Sequence, residues 1–404
     1  MKTPLALLSI VSLLGAAVAQ SGGPTTPLCD TNPNGAVGLR INGVVPSGNT
    51  AVEHDVSVSS AVLSLNVSGT AAGRSFALLF GAAIACPGIP VPWTATVDLA
   101  QPVVVLDGFF PATFFDALAV TPFQVAVPVG CALQGTVGPA IQAIYAEPQD
   151  APYFLNNTTA GRPFFTATAT TTYSLLGDDD FVGHTLVCPI TFGGQSYTQL
   201  YCGSNGQVTF RNGDTDPSPT PSEFFAGFQS APTPAAAAAT TPGVAVLWAD
   251  FHRSTYSGDS VVVDEDRSLG TVKVSYLGMQ WYNSQNPAGD FAATFGALGP
   301  GSVVIDLTQA LPGAGDAATP GQGTFDPNPI VGVSRGRDAT GANTILDFSA
   351  ALAAGGGTYT TPLANVPESV MEQFPLAGAD PMAPLDAVLL RFVDATGTFT
   401  WTIY

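Results

Sequence analysis

The sequence predicts an all-β protein made of two antiparallel β-sandwich domains with few short helices. Three observations carry this expectation. Short apolar stretches alternate with period two, as in Val56-Ser57-Val58 and Val62-Leu63-Ser64-Leu65-Asn66-Val67, which is the pattern of a strand with one face buried. Gly, Pro or Asp punctuates the gaps between them, as in sandwiches and barrels. No long stretch of the first half has helical periodicity, and 404 residues suit two domains of about 100–200 residues each.

Met1-Lys2-Thr3 opens the chain, an apolar run follows from Leu5 to Val18, and Ala17-Val18-Ala19 supplies a small-x-small site. Residues 1–19 therefore read as a secretory signal peptide; the apolar run is too short for a membrane span. No later stretch is long and apolar enough to be a transmembrane segment. Cleavage after Ala19 removes Lys2 from a chain whose net charge is already −19. Such a surface repels nucleic acid and anionic lipid and tolerates bound cations. Residues 20–37 are rich in Gly, Pro and Thr and read as a flexible lead-in.

A small β-sandwich domain is expected over 38–150, with strands at 56–58, 62–67, 76–80, 93–99, 103–106, 123–127 and 140–145. Pro152, Asn156 and Asn157 mark a junction over 151–163. The second domain, 164–404, opens on the Thr-rich run 164–175, a β-branched strand signal. Further strands are expected at 197–202, 207–210, 244–248, 260–263, 271–276, 291–295, 302–307, 330–333, 388–392 and 399–404. Short helices are expected at Ser222–Phe225 and Glu368–Phe374. The Ala-rich tract from Ala231 to Gly243 reads as an insertion loop or a short helix. Asp264-Glu265-Asp266, between two strands, reads as a hairpin tip.

The chain has five cysteines, Cys29, Cys86, Cys131, Cys188 and Cys202, and export favours their pairing. Cys188 and Cys202 flank one hairpin-like stretch and are the first choice; closing such a loop is worth about 3 kcal/mol. Cys86–Cys131 is the second choice, with Cys29–Cys86 and Cys29–Cys131 as alternatives. None has the C-x-x-C spacing of a zinc site.

From Leu176 onward a set of motifs stands out: Leu176-Gly177-Asp178-Asp179-Asp180-Phe181, Gly194-Gln195-Ser196-Tyr197-Thr198, Ser204-Asn205-Gly206-Gln207-Val208-Thr209-Phe210, Leu247-Trp248-Ala249-Asp250, Ile330-Val331-Gly332-Val333-Ser334 and Glu372-Gln373-Phe374. As a set they resemble secreted bacterial (planctomycete-type) β-sandwich proteins with a nidogen-like extracellular domain. The resemblance covers roughly Thr166 to Tyr404. It implies a cell-surface, adhesive or matrix role, with extracellular matrix, a glycan or a surface protein as partner, and it transfers no catalytic residue. Apart from the resemblance, Ser204-Asn205-Gly206 is a tight-turn signal because Asn and Gly tolerate positive φ. Trp248, in an apolar strand, fills the core.

Chemical motifs are few. Gly332-Val333-Ser334-Arg335-Gly336 matches the serine-hydrolase elbow in letters, but that elbow needs a helix after it and a histidine later in the chain. The three histidines, His54, His184 and His252, all precede Ser334. His54, between Glu53 and Asp55, reads as a solvated loop residue and His184 as a structural one. No motif calls for a cofactor. Calcium is the one cation the acidic residues suit, with Asp178, Asp179, Asp180, Asp214, Asp216 and Asp250 near strand ends, although no EF-hand spacing occurs. Trp281 and Tyr282, at a strand end before a polar loop, are candidates for stacking on a sugar. The sequence thus points to a non-catalytic secreted or cell-surface protein. Its alternative is a carbohydrate-binding module or a hydrolase acting on extracellular polysaccharide.

Overall fold

A computed structural model of the chain describes residues 37–47, 54–69, 72–90, 96–146, 155–174, 177, 179–214, 220–225, 228, 241–251, 259–281, 287–310, 329–335, 343–345, 357–360, 369–373, 389–395 and 398–403. The expected signal peptide, most of the lead-in, and residues 231–240 of the Ala-rich tract lie outside these. Among the described residues no helix is long and apolar enough to cross a membrane. The chain divides into two compact units at Ala167/Thr168.

The first unit contains β1 (Val37–Ile41), β2 (Asp55–Val58), β3 (Val62–Gly69), β4 (Phe76–Gly81), β5 (Ala83–Pro90), β6 (Thr96–Ala100), β7 (Val103–Asp107), β8 (Phe123–Pro128), β9 (Ala140–Ala146), β10 (Leu155–Asn157) and β11 (Arg162–Phe165). They form sheets β1-β3-β8 and β10-β9-β4-β7, a parallel pair β2-β11 and a hairpin β5-β6. Leu63, Leu65 and Val67 of β3 face inward with Leu39 and Ile41 of β1, and they meet Phe76, Leu78, Ile141 and Tyr145 of the second sheet. The other face of that sheet, at Ala77, Leu79, Ala140 and Ile144, is covered by Val97 and Leu99 of β6. Burial on both faces explains why β4 and β9 read as continuous apolar runs instead of alternating ones.

One polar side chain in that second layer is fully paired. Gln142 accepts the Asp98 N–H at 2.9 Å, and its amide nitrogen donates to the Thr158 carbonyl at 3.0 Å and to Asp98 at 3.2 Å. Arg162 binds Asp55 through two hydrogen bonds of 2.8 and 2.9 Å, fastening β11 to β2. Because β10 and β11 pair within this unit, the stretch expected to be a junction at 151–163 contributes strands. The expected strand 164–175 is in fact two, β11 and the first strand of the next unit. His54 also departs from expectation: it is buried, with Nδ1 2.6 Å from the Ala160 carbonyl. The short step into β2 turns it inward, where a backbone oxygen satisfies it.

The second unit contains β12 (Thr168–Ser174), β13 (Phe181–Phe192), β14 (Gln195–Gly203), β15 (Gln207–Thr209), helix α1 (Pro221–Phe225), β16 (Gly243–Trp248), β17 (Ser260–Asp266), β18 (Thr271–Gln280), β19 (Pro287–Phe295), β20 (Ser302–Ala310), β21 (Ile330–Ser334), β22 (Asn343–Ile345), β23 (Gly357–Thr360), β24 (Ser369–Gln373), β25 (Leu389–Ala395) and β26 (Thr398–Ile403). One sheet runs β12-β17-β18-β19-β20-β25-β26-β23, the other β13-β14-β15-β16-β21-β24-β22. A single apolar core joins them: Leu186, Ile190, Phe192, Val208, Val246 and Val331 from the second sheet meet Val263, Val274, Phe295 and Ile305 from the first. This is a β-sandwich, with inner faces interdigitating.

The outer face of β16 is covered as well. Ala245, Trp248, Ile330 and Met371 pack under Phe224 and Phe228. Thr220 caps helix α1: its Oγ1 accepts the Glu223 N–H at 3.2 Å and donates to the Glu223 carboxylate at 2.8 Å. Trp248 is fully buried, in this outer cluster.

Three expectations are corrected here. Residues 369–373 form strand β24 between β21 and β22, not a helix; sheet pairing on both sides overrides local propensity. The hairpin between β17 and β18 turns at 267–270, so Glu265 lies inside a strand and is buried, not at the tip. Cys188 and Cys202 are not paired: Cys202 is a free, buried thiol. The register sets Cys202 opposite Val182, six residues before Cys188 on β13. At about 3.3 Å per residue the two lie far beyond the ~7 Å limit between Cα atoms for a disulfide. Cys131 and Cys188 are each disulfide-bonded. Cys29 and the side chain of Cys86 lie outside the described residues.

Candidate functional site

Polar groups in the second unit gather in two places. The first is the turn between β14 and β15. Gly206 has φ +81°, and a Cβ there would strike the Leu247 carbonyl, so the position requires glycine. Its own carbonyl accepts the Val246 N–H at 3.0 Å and the Leu247 N–H at 3.4 Å. Those two amides belong to the bulge where β16 slips register against β21. The turn therefore supplies the acceptor that the bulged strand lacks.

Asn205, which is buried, extends the same joint. Its amide nitrogen donates to Asp179 at 2.9 Å, its side-chain oxygen accepts the Phe251 N–H at 3.2 Å, and its carbonyl accepts the Ala249 N–H at 3.1 Å. Asp180 pairs with Ser204 beyond the end of β13: its carbonyl accepts the Ser204 N–H at 2.8 Å, and its N–H donates to Ser204 Oγ at 3.0 Å. The Asp180 carboxylate accepts the Phe181 N–H at 2.7 Å. Gln207 donates to Asp214 at 3.4 Å, while its carbonyl accepts the Tyr276 hydroxyl at 2.7 Å from the opposite sheet.

The structure thus brings Asp179, Asp180, Asp214 and the segment carrying Asp250 to one turn. There Asp179, Asp180 and Asp214 act as acceptors for neighbouring amides. Among the described residues no group of three His, Cys, Asp or Glu side chains could hold a metal ion. Asp178 and Asp216 lie outside the described residues.

The second place joins the edges of the two sheets. His184 on β13 has Nδ1 2.7 Å from the Tyr173 hydroxyl of β12 and Nε2 3.3 Å from Glu265 Oε1 of β17. Glu265 Oε2 accepts the Val187 N–H at 3.0 Å, within the irregular stretch where β13 loses register with β14. The Arg267 guanidinium stands 3.7 Å from Glu265. Burial pushes the Glu265 carboxyl up. Hydrogen bonds from His184 and Val187, with the charge of Arg267, outweigh burial and hold it below the usual carboxylate range. Burial raises the Tyr173 phenol, and the nearby Cys202 and Glu265 add to this. In the neutral tautomer the phenol donates to Nδ1 and Nε2–H donates to the carboxylate, so all three groups are satisfied.

The other candidates fall into the core. Trp281 is 3% exposed and packs on Phe251 with ring centroids 5.2 Å apart. It cannot stack on a sugar from there, which corrects the expectation; it marks the end of β18, where the chain bends into the sandwich edge to pair with Phe251. Tyr282 lies outside the described residues. Ser334 ends β21 fully buried, its hydroxyl 2.8 Å from that of Ser369. Gly332 sits where a Cβ would strike the Val370 carbonyl, so close strand packing accounts for a glycine in the hydrolase-like string.

The signal that could have placed His184 and Glu265 inward is strand phase, which the hairpin-tip reading of Glu265 missed. His184 is in phase with Leu186, Cys188, Ile190 and Phe192, and Glu265 with Val261 and Val263, along alternating strands. What the sequence does not carry is their partnership, which needs the two sheets to be stacked.

The fold and these sites define an all-β sandwich protein whose polar clusters bind its own backbone. A family model described as "NIDO related" matches residues 153–297. This supports a nidogen-like domain, and the match begins before β10, within the first unit. The match ends after β19, well before the last strand of the second unit. No curated protein and no solved structure matches the chain.

Proposed function

We propose that this protein is a non-catalytic, extracellular structural or adhesive component of the cell surface or its surroundings. The observation that carries this reading is the similarity of residues 153–297 to the NIDO-related family, a family of non-enzymatic domains. Three further observations support it. The leader-like start and the disulfide-bonded Cys131 and Cys188 fit an oxidising compartment. Among the described residues, Glu265 is held by a backbone N–H and His184, and Ser334 of the hydrolase-like string is buried against Ser369. The net charge of −19 suits a soluble surface protein and disfavours nucleic acid.

The test uses the secreted chain in two parallel screens. One offers immobilised glycans, matrix proteins and cell-surface proteins; the other offers ester, glycoside and peptide substrates. Retention on one surface without turnover is the expected outcome. Reproducible turnover overturns the reading.

A further inference from the structure

We draw no further inference here: the strongest candidate, the exposed apolar patch of Phe110, Phe114 and Phe115 on the loop joining β7 to β8 in the first unit, carries nothing because nothing in the structure shows what covers it.

Discussion

The His184 imidazole bridges Tyr173 and Glu265, at 2.7 and 3.3 Å, across the open edge between the two sheets of the second unit. β12 and β13 each end a sheet, and an end strand is where a sandwich gapes. This buried chain of hydrogen bonds closes that gap, and the irregularity in β13 frees the Val187 N–H to join it.

Removing the carboxylate opens the joint. Glu265→Ala leaves the Val187 N–H and the His184 ring without their acceptor and Arg267 without its counter-charge. The expected loss is about 3–5 kcal/mol, read as a lower midpoint in urea unfolding. Glu265→Gln keeps an acceptor and is expected to lose less.

Acid has a defined effect through the same group. The folded Glu265 carboxyl is held below its ordinary value of 4.5. Its contribution is therefore fully present above that ordinary value and is lost as pH falls through the lower, folded one. Unfolding free energy measured from pH 6 downward should fall less steeply in Glu265→Gln than in wild type. An unchanged slope would remove Glu265 from the acid response.

Gly206 is the second point of failure. Gly206→Ala forces a Cβ against the Leu247 carbonyl at φ +81° and displaces the acceptor of the β16 bulge. A loss of about 1–3 kcal/mol is expected, with Asn205→Ala costing about 1–3 kcal/mol through the Asp179 carboxylate and the Phe251 N–H it releases. Thermal melts of both variants check this.

Cys202 separates the thiol account from the alternative. Burial drives its thiol well above the usual value, so the native protein should resist alkylation at this position. Peptide mapping should find Cys202 modified only after unfolding. Modification in the native state would show the core to be open there.

Trp281→Ala is expected to cost about 3–5 kcal/mol because the ring packs against Phe251 in the core. A binding defect in this variant with an unchanged melting temperature would restore its role as a stacking surface.

Much of this was legible in the sequence, and the exceptions have physical causes. Period two announced β3, β8, β17 and β18, and the Ser204-Asn205-Gly206 turn fell where its residue types require. β13, the longest strand, was missed because Gly183 and Pro189 interrupt its pattern. Such residues are tolerated on an edge strand with a bulge, and β13 is one. The pairing of Cys188 with Cys202 rested on the hairpin-like stretch between them. The turn at Gly193-Gly194, together with the extra residues of β13 between Thr185 and Ile190, sets Cys202 opposite Val182 instead of Cys188. Sequence shows the charge of the acidic residues but not the groups that meet it: Asp179 and Asp214 accept from the side-chain amides of Asn205 and Gln207, and Asp180 from the Phe181 N–H. Asp179 and Asp180 meet Asn205 and Ser204 only after β13 and β14 pair.

The central claim is that the polar groups of the second unit hold the sandwich and perform no reaction. It is tested most directly by following hydrolysis and unfolding together in wild type and Glu265→Gln. The account predicts no turnover above the blank for either protein and a lower unfolding midpoint for the variant. Wild-type turnover that Glu265→Gln abolishes, at an unchanged midpoint, would contradict it.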